Sequence, residues 1–145
     1  MTSRLSFLTI LIFALLLTGC SKTNDVVETP EAKLVRLLTG VGNKYWHLNK
    51  IFINTVPQAL TSAQLAFTKT YTINPAIENS GIFSNSDGIS GKWKISSAIA
   101  FYESFVTGGG VGIQLDYTVI DISETVLDIQ YKSNNKLVEE VYYAY

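Results

Sequence analysis

Cysteine, histidine and proline are scarce in this chain of 145 residues, which has one cysteine, one histidine and three prolines. A single cysteine excludes an internal disulfide and a multi-thiolate zinc site, and His47 alone cannot supply the paired imidazoles of a histidine metal centre. The folded part must therefore be held by an apolar core. Charge of either sign is also sparse: 11 Lys and Arg stand against 12 Asp and Glu, a formal net charge of −1. Such a balance lacks the electrostatic footprint of a nucleic-acid partner or of attraction to anionic lipid. No repeat of solenoid length and no low-complexity tract is present.

The long hydrophobic run lies at the N-terminus. Arg4 supplies a positive n-region, Leu5 to Leu17 form an apolar stretch, and Leu17-Thr18-Gly19-Cys20 closes it with a small residue before the cysteine. The stretch is too short to cross a hydrocarbon core of about 30 Å as a permanent helix, so it reads as a secretory signal. The pattern resembles the bacterial lipobox, which implies cleavage after residue 19 and lipidation of Cys20. Two or more acyl chains give stable anchoring. Residues 1–19 are thus expected to be a lipoprotein signal peptide and residues 20–30 the lipidated cysteine and a flexible tether, with residues 31–145 as the domain. Ser21 after the cysteine resembles an outer-membrane sorting preference; periplasm-facing and cell-surface orientations are both compatible with the tail that follows.

One short helix opens the domain. Thr29 suits its N-cap, Pro30 its first position, Glu31 its positive end and Gly40 its left-handed stop, with Leu34, Val35 and Leu38 on one face. From Tyr45 the apolar period changes from about 3.6 to 2. Trp46, Leu48 and Phe52 alternate first; Leu65, Phe67, Tyr71 and Ile73 follow against Ala66, Thr68, Thr70 and Thr72. Asn85-Ser86-Asp87-Gly88 reads as a turn before Trp93, Ile95 and Ser97. Val111, Ile113, Leu115, Tyr117 and Val119 share a phase, as do Leu127, Ile129 and Tyr131; turns are expected at Asp121–Glu124 and at Ser133-Asn134-Asn135, before a last strand from Leu137 to Tyr145. The expectation is an all-β fold of about seven or eight antiparallel strands in up-and-down order.

Motifs that carry chemistry are absent or incomplete. Gly108-Gly109-Gly110-Val111-Gly112 has no following Lys-Ser/Thr and opens a strand, so it reads as a hairpin loop rather than a phosphate cradle. Asp116 and Asp128 fall in the polar phase of their strands, where they solvate the sheet, and no spacing selects an acid and a base among Asp116, Asp121, Glu124 and Asp128. Ser90, in Asp87-Gly88-Ile89-Ser90-Gly91, lacks the second glycine at the spacing of a nucleophile elbow and reads as part of a turn. No catalytic residue, cofactor or metal is expected.

The segments LVRLLTG, KYWHLNKI, GKWKI and YTVIDISETVLDIQYKSNNKLVEEVYYAY, in this order behind a lipobox, resemble the lipocalin-like lipoprotein domains of Bacteroidota. The resemblance covers most of residues 31–145. It implies a small calycin-type barrel with the helix at one mouth and no catalytic residues to carry over. The expected function is a lipid-anchored, non-enzymatic module of the outer membrane. Two readings of its interior stand side by side. In one, Phe67, Tyr71, Leu115, Tyr117, Leu127 and Ile129 line a cup for a small apolar ligand. In the other, the same side chains fill the core and the module docks an envelope protein partner. A small transmembrane barrel is a third reading, for which the lipid anchor would be redundant.

Overall fold

The computed structural model describes residues 27–41 and 44–145. The signal peptide, Cys20 and most of the tether lie outside the described residues.

Helix α1 (Pro30–Thr39) has the caps that the sequence requires: Thr29 Oγ1 accepts from Ala32 N at 3.1 Å, and Gly40, at φ 67°, donates its N–H to Arg36 O. It is followed by β1 (Tyr45–Ile53), β2 (Val56–Gln58), a single-turn helix α2 (Ser62–Leu65), and then β3 (Thr68–Ile73), β4 (Ser80–Asn85), β5 (Ser90–Ser97), β6 (Ala100–Val106), β7 (Gly112–Ile122), β8 (Val126–Ser133) and β9 (Lys136–Tyr143).

Every sequential pair from β3 to β9 is an antiparallel neighbour, and β1 closes the ring by pairing with β3 on one side and β9 on the other. The result is a closed eight-stranded up-and-down barrel, with β2 folded back on the far half of β1. Closure leaves the barrel strands no long free edge, which removes the usual template for aggregation. The tight turns suit it. Asn134 and Asn135 both have positive φ between β8 and β9, the twist that two-residue hairpins prefer, and asparagine adopts it at low cost.

Alternation places large side chains inside. Trp46, Tyr71, Phe83, Trp93, Phe101, Leu127, Ile129 and Tyr142 are each no more than 1% exposed and form one cluster with Leu34, Val35 and Leu38 of α1. Each large side chain buried is worth about 1.5–3 kcal/mol, and the cluster is continuous. The helix thus stoppers one mouth of the barrel. Trp46 Nε1 donates to Leu38 O at 2.8 Å; Lys44 Nζ donates to Leu37 O at 2.8 Å and stands 4.0 Å over the Trp46 ring. These bonds satisfy carbonyls near the helix end, where intrahelical partners run out. Arg36 adds an exposed clamp between Glu28 and Glu124 on the β7–β8 loop.

The outer phase of β5, β7 and β8 carries Lys92, Lys94, Gln114, Asp116, Thr118, Gln130 and Lys132. A lipid-facing barrel presents an apolar band in these positions.

Several expectations shift. Leu65 belongs to α2 and is 56% exposed, because Thr61 and Gln64 form a reciprocal capping box that ends strand geometry there. Ile73 lies at the strand end and is 53% exposed, beyond the rim of the core. Ser97 follows a register irregularity in β5 that takes it out of the inward phase. Val111 stands in the loop before β7, and the β7–β8 turn falls at Ser123–Thr125, because β7 runs on to Ile122.

Candidate functional site

The barrel interior has two halves of different character. Near α1 it is filled: Trp46, Trp93, Phe101, Leu127 and Ile129 are each no more than 1% exposed and pack in one cluster with the helix. Towards the opposite mouth, which carries the Ser86–Gly88 turn and the Gly108–Gly110 loop, the side chains part around a cavity of about 170 Å³. Its apolar wall is Phe67, Phe83, Phe105 and Leu115, with Ile89 and Asn85 at the rim. Its polar wall is Lys69, Glu103, Tyr117, Tyr131, Glu140 and Tyr142.

The floor is a buried ion pair. Lys69 is 5% exposed and Glu103 1% exposed, and Lys69 Nζ lies 3.0 Å from Glu103 Oε1 and 3.2 Å from Oε2. Tyr71 donates its hydroxyl to Oε1 at 2.6 Å, and Tyr117 donates to Oε2 at 3.2 Å. The carboxylate thus accepts four hydrogen bonds, the saturation a buried charge needs to offset its desolvation. The ammonium is further ringed by Phe83, Tyr117 and Tyr142, whose centroids stand 5.8, 5.2 and 5.9 Å away. The negative faces of these rings favour a cation.

Higher on the wall, Glu140 repeats part of this pattern. Tyr131 donates to its Oε1 at 2.9 Å and Tyr142 to its Oε2 at 2.5 Å. Among the described residues, no lysine or arginine lies within ion-pair distance of Glu140. Burial, and then the neighbouring carboxylate charges, hold the hydroxyls of Tyr71, Tyr117 and Tyr142 well above the ordinary tyrosine range; Tyr131 is raised for the same reasons. All four phenols stay protonated near neutrality, as donors to Glu103 and Glu140.

The residues expected from the sequence divide between the halves. Phe67, Leu115 and Tyr117 line the cavity. Tyr71 sits beneath it, bonded to Glu103, and Leu127 and Ile129 belong to the filled core. His47 stands in the outward phase of β1, stacked on Tyr145 with centroids 4.7 Å apart, away from the cavity. The glycine loop joins β6 to β7, and Asp116 lies exposed on the outer face.

Lys69, Glu103 and Glu140 escaped the sequence reading. Their signal was available: each occupies an inward position two residues from an aromatic, as in Phe67-x-Lys69-x-Tyr71, Phe101-x-Glu103-x-Phe105 and Glu140-x-Tyr142. A charge in the apolar phase of a strand marks either a pair or a site.

No protein-family model, no curated protein and no solved structure matches the chain.

Proposed function

We propose that this protein is a lipid-anchored, non-enzymatic lipoprotein of the outer membrane, of the lipocalin-like kind, whose barrel takes a small, largely apolar ligand. The observation that carries the reading is the cavity of about 170 Å³ with aromatic and aliphatic walls at the unstoppered end of the barrel. An apolar cavity of about 150 Å³ is large enough to hold benzene. The ligand is accordingly a compact molecule or the end group of a longer one, since the filled half blocks deeper entry. The polar groups of the wall fix orientation, as in most small-molecule sites. Glu103, saturated by four hydrogen bonds and paired with Lys69, serves structure rather than proton transfer.

The test is calorimetric titration of the full chain in lipid nanodiscs with benzyl alcohol, against empty nanodiscs. Saturable binding that is lost in Leu115→Trp, a space-filling change in the wall, is the expected result. Absence of saturable heat with this and other compact aromatic probes would shift preference to a barrel that docks an envelope protein partner. For the anchor, Cys20→Ala is expected to accumulate as an unprocessed precursor that incorporates no labelled palmitate; normal processing of that variant would remove the anchor from the proposal.

A further inference from the structure

Glu103 and Glu140 are two carboxylates inside one barrel, and each accepts from two tyrosine hydroxyls. The first also has a cation: Lys69 Nζ within 3.2 Å of both oxygens, surrounded by aromatic rings. The second has none among the described residues. Three charged side chains line the cavity, one lysine and two glutamates, so its walls carry an excess of one negative charge. Tyr131, Tyr142 and Phe67 bring aromatic surface to the same region.

From this asymmetry we infer that Glu140 is the seat for a cationic nitrogen of the ligand, so that the cup takes a compact primary amine with an apolar body. The inference deepens the ligand-binding reading and rests on it. The ligand's ammonium occupies, against Glu140 and its tyrosines, the place that Lys69 occupies against Glu103. An ammonium reaching Glu140 gains a carboxylate partner already oriented by two hydroxyls, and the aromatic walls add cation–π attraction. An anionic ligand of the same shape meets a wall of its own sign.

The experiment compares benzylammonium, benzyl alcohol and benzoate by calorimetry on the full chain in nanodiscs, in the wild type and in Glu140→Gln. Benzylammonium is expected to bind at least about tenfold more tightly than benzyl alcohol to the wild type, with benzoate weakest. In Glu140→Gln the preference for benzylammonium over benzyl alcohol should vanish. Binding of benzyl alcohol with no preference for the amine would overturn this inference and leave the cup reading standing. No binding of any probe would overturn both. A preference that survives in Glu140→Gln would move the seat away from Glu140. Glu140→Asp keeps the charge but draws it back by one methylene, so it covers the case in which the glutamine variant does not fold. Its preference should fall below that of the wild type, and an unchanged preference would count against the assignment.

Discussion

Lys69 of β3 and Glu103 of β6 meet across the inside of the barrel, 3.0 Å apart at their closest atoms although 34 positions apart in the sequence. Neither strand neighbours the other in the sheet, so the pair ties opposite walls together. Its bidentate contact and the two tyrosine hydroxyls fix the separation of those walls where the filled core gives way to the cavity.

Removing one partner of this pair is expected to cost far more than removing both. Lys69→Met alone leaves Glu103 as an unpaired buried charge and should destabilise the barrel by about 3–5 kcal/mol. Lys69→Met combined with Glu103→Leu should recover much of that loss, because two desolvation costs vanish together. Urea unfolding followed by tryptophan fluorescence measures both. Additive losses in the double variant would show that the pair is not energetically coupled.

Alkaline stability follows from the tyrosines. Tyr71, Tyr117 and Tyr142 are buried, and their folded pKa values lie well above the ordinary 10.0, whereas in the unfolded chain they ionise near it. The folded state therefore retains protons that the unfolded state sheds. Their contribution is complete below about pH 10 and is lost as pH rises from there towards the folded values. Tyrosinate absorbance should appear for these residues only together with unfolding. Tyr142→Phe should reduce the steepness of the decline by up to about 1.4 kcal/mol per pH unit, the share of one proton.

Asp128 of β8 lies opposite Asp121 of β7, and its Oδ1 is buried with no hydrogen-bond partner among the described residues. Burial, with Glu139 and Asp121 adding repulsion, raises its carboxyl above the ordinary value of 3.8. A raised carboxyl penalises the folded state at pH above the folded value, and the penalty disappears as pH falls towards 3.8. Asp128→Asn is expected to stabilise the protein at neutral pH by about 0.2–1 kcal/mol, the range of a cross-strand pair. The two proteins should converge in thermal stability on acidification. A destabilised variant at pH 7 would contradict this account.

Gly81 of β4 is where the backbone has no room for a side chain. An added Cβ would lie 1.7 Å from Thr72 O and 2.7 Å from Trp93 Nε1, and that indole donates to the same carbonyl at 3.1 Å. Gly81→Ala must displace the β3 backbone, the tryptophan, or both. A loss of at least about 1–3 kcal/mol is expected, as for overpacking, with a red-shifted and more quenchable Trp93 emission. Near-native stability would mean that the strand pair relaxes without cost.

The sequence already contained the elements most strongly constrained by local chemistry. Thr29, Pro30 and Gly40 bound a helix because an N-cap oxygen, a missing amide hydrogen and a left-handed stop act within a single turn of chain. The alternation of Leu115, Tyr117 and Val119, and of Leu127, Ile129 and Tyr131, set strands and their inward faces, because successive side chains in a strand must point to opposite sides. The capping box at Thr61 and Gln64 was equally local, yet the alternation through Leu65 and Phe67 masked it. An apolar phase seen over two residues weighs less than two reciprocal backbone bonds.

Tertiary structure alone decided whether the inward phase closes as a core or opens as a cup. Phe67, Tyr71, Leu115, Tyr117, Leu127 and Ile129 are equivalent in pattern, but their depth along the barrel depends on strand stagger and on which mouth α1 plugs, and these are properties of the closed sheet. The same holds for Lys69, Glu103 and Glu140. A charged residue in an inward phase is tolerable only if a partner from a distant strand meets it, and no local rule brings β3, β6, β8 and β9 to one point. Closure of the barrel does so, pairing one carboxylate with a lysine and leaving the other, among the described residues, with hydroxyls alone.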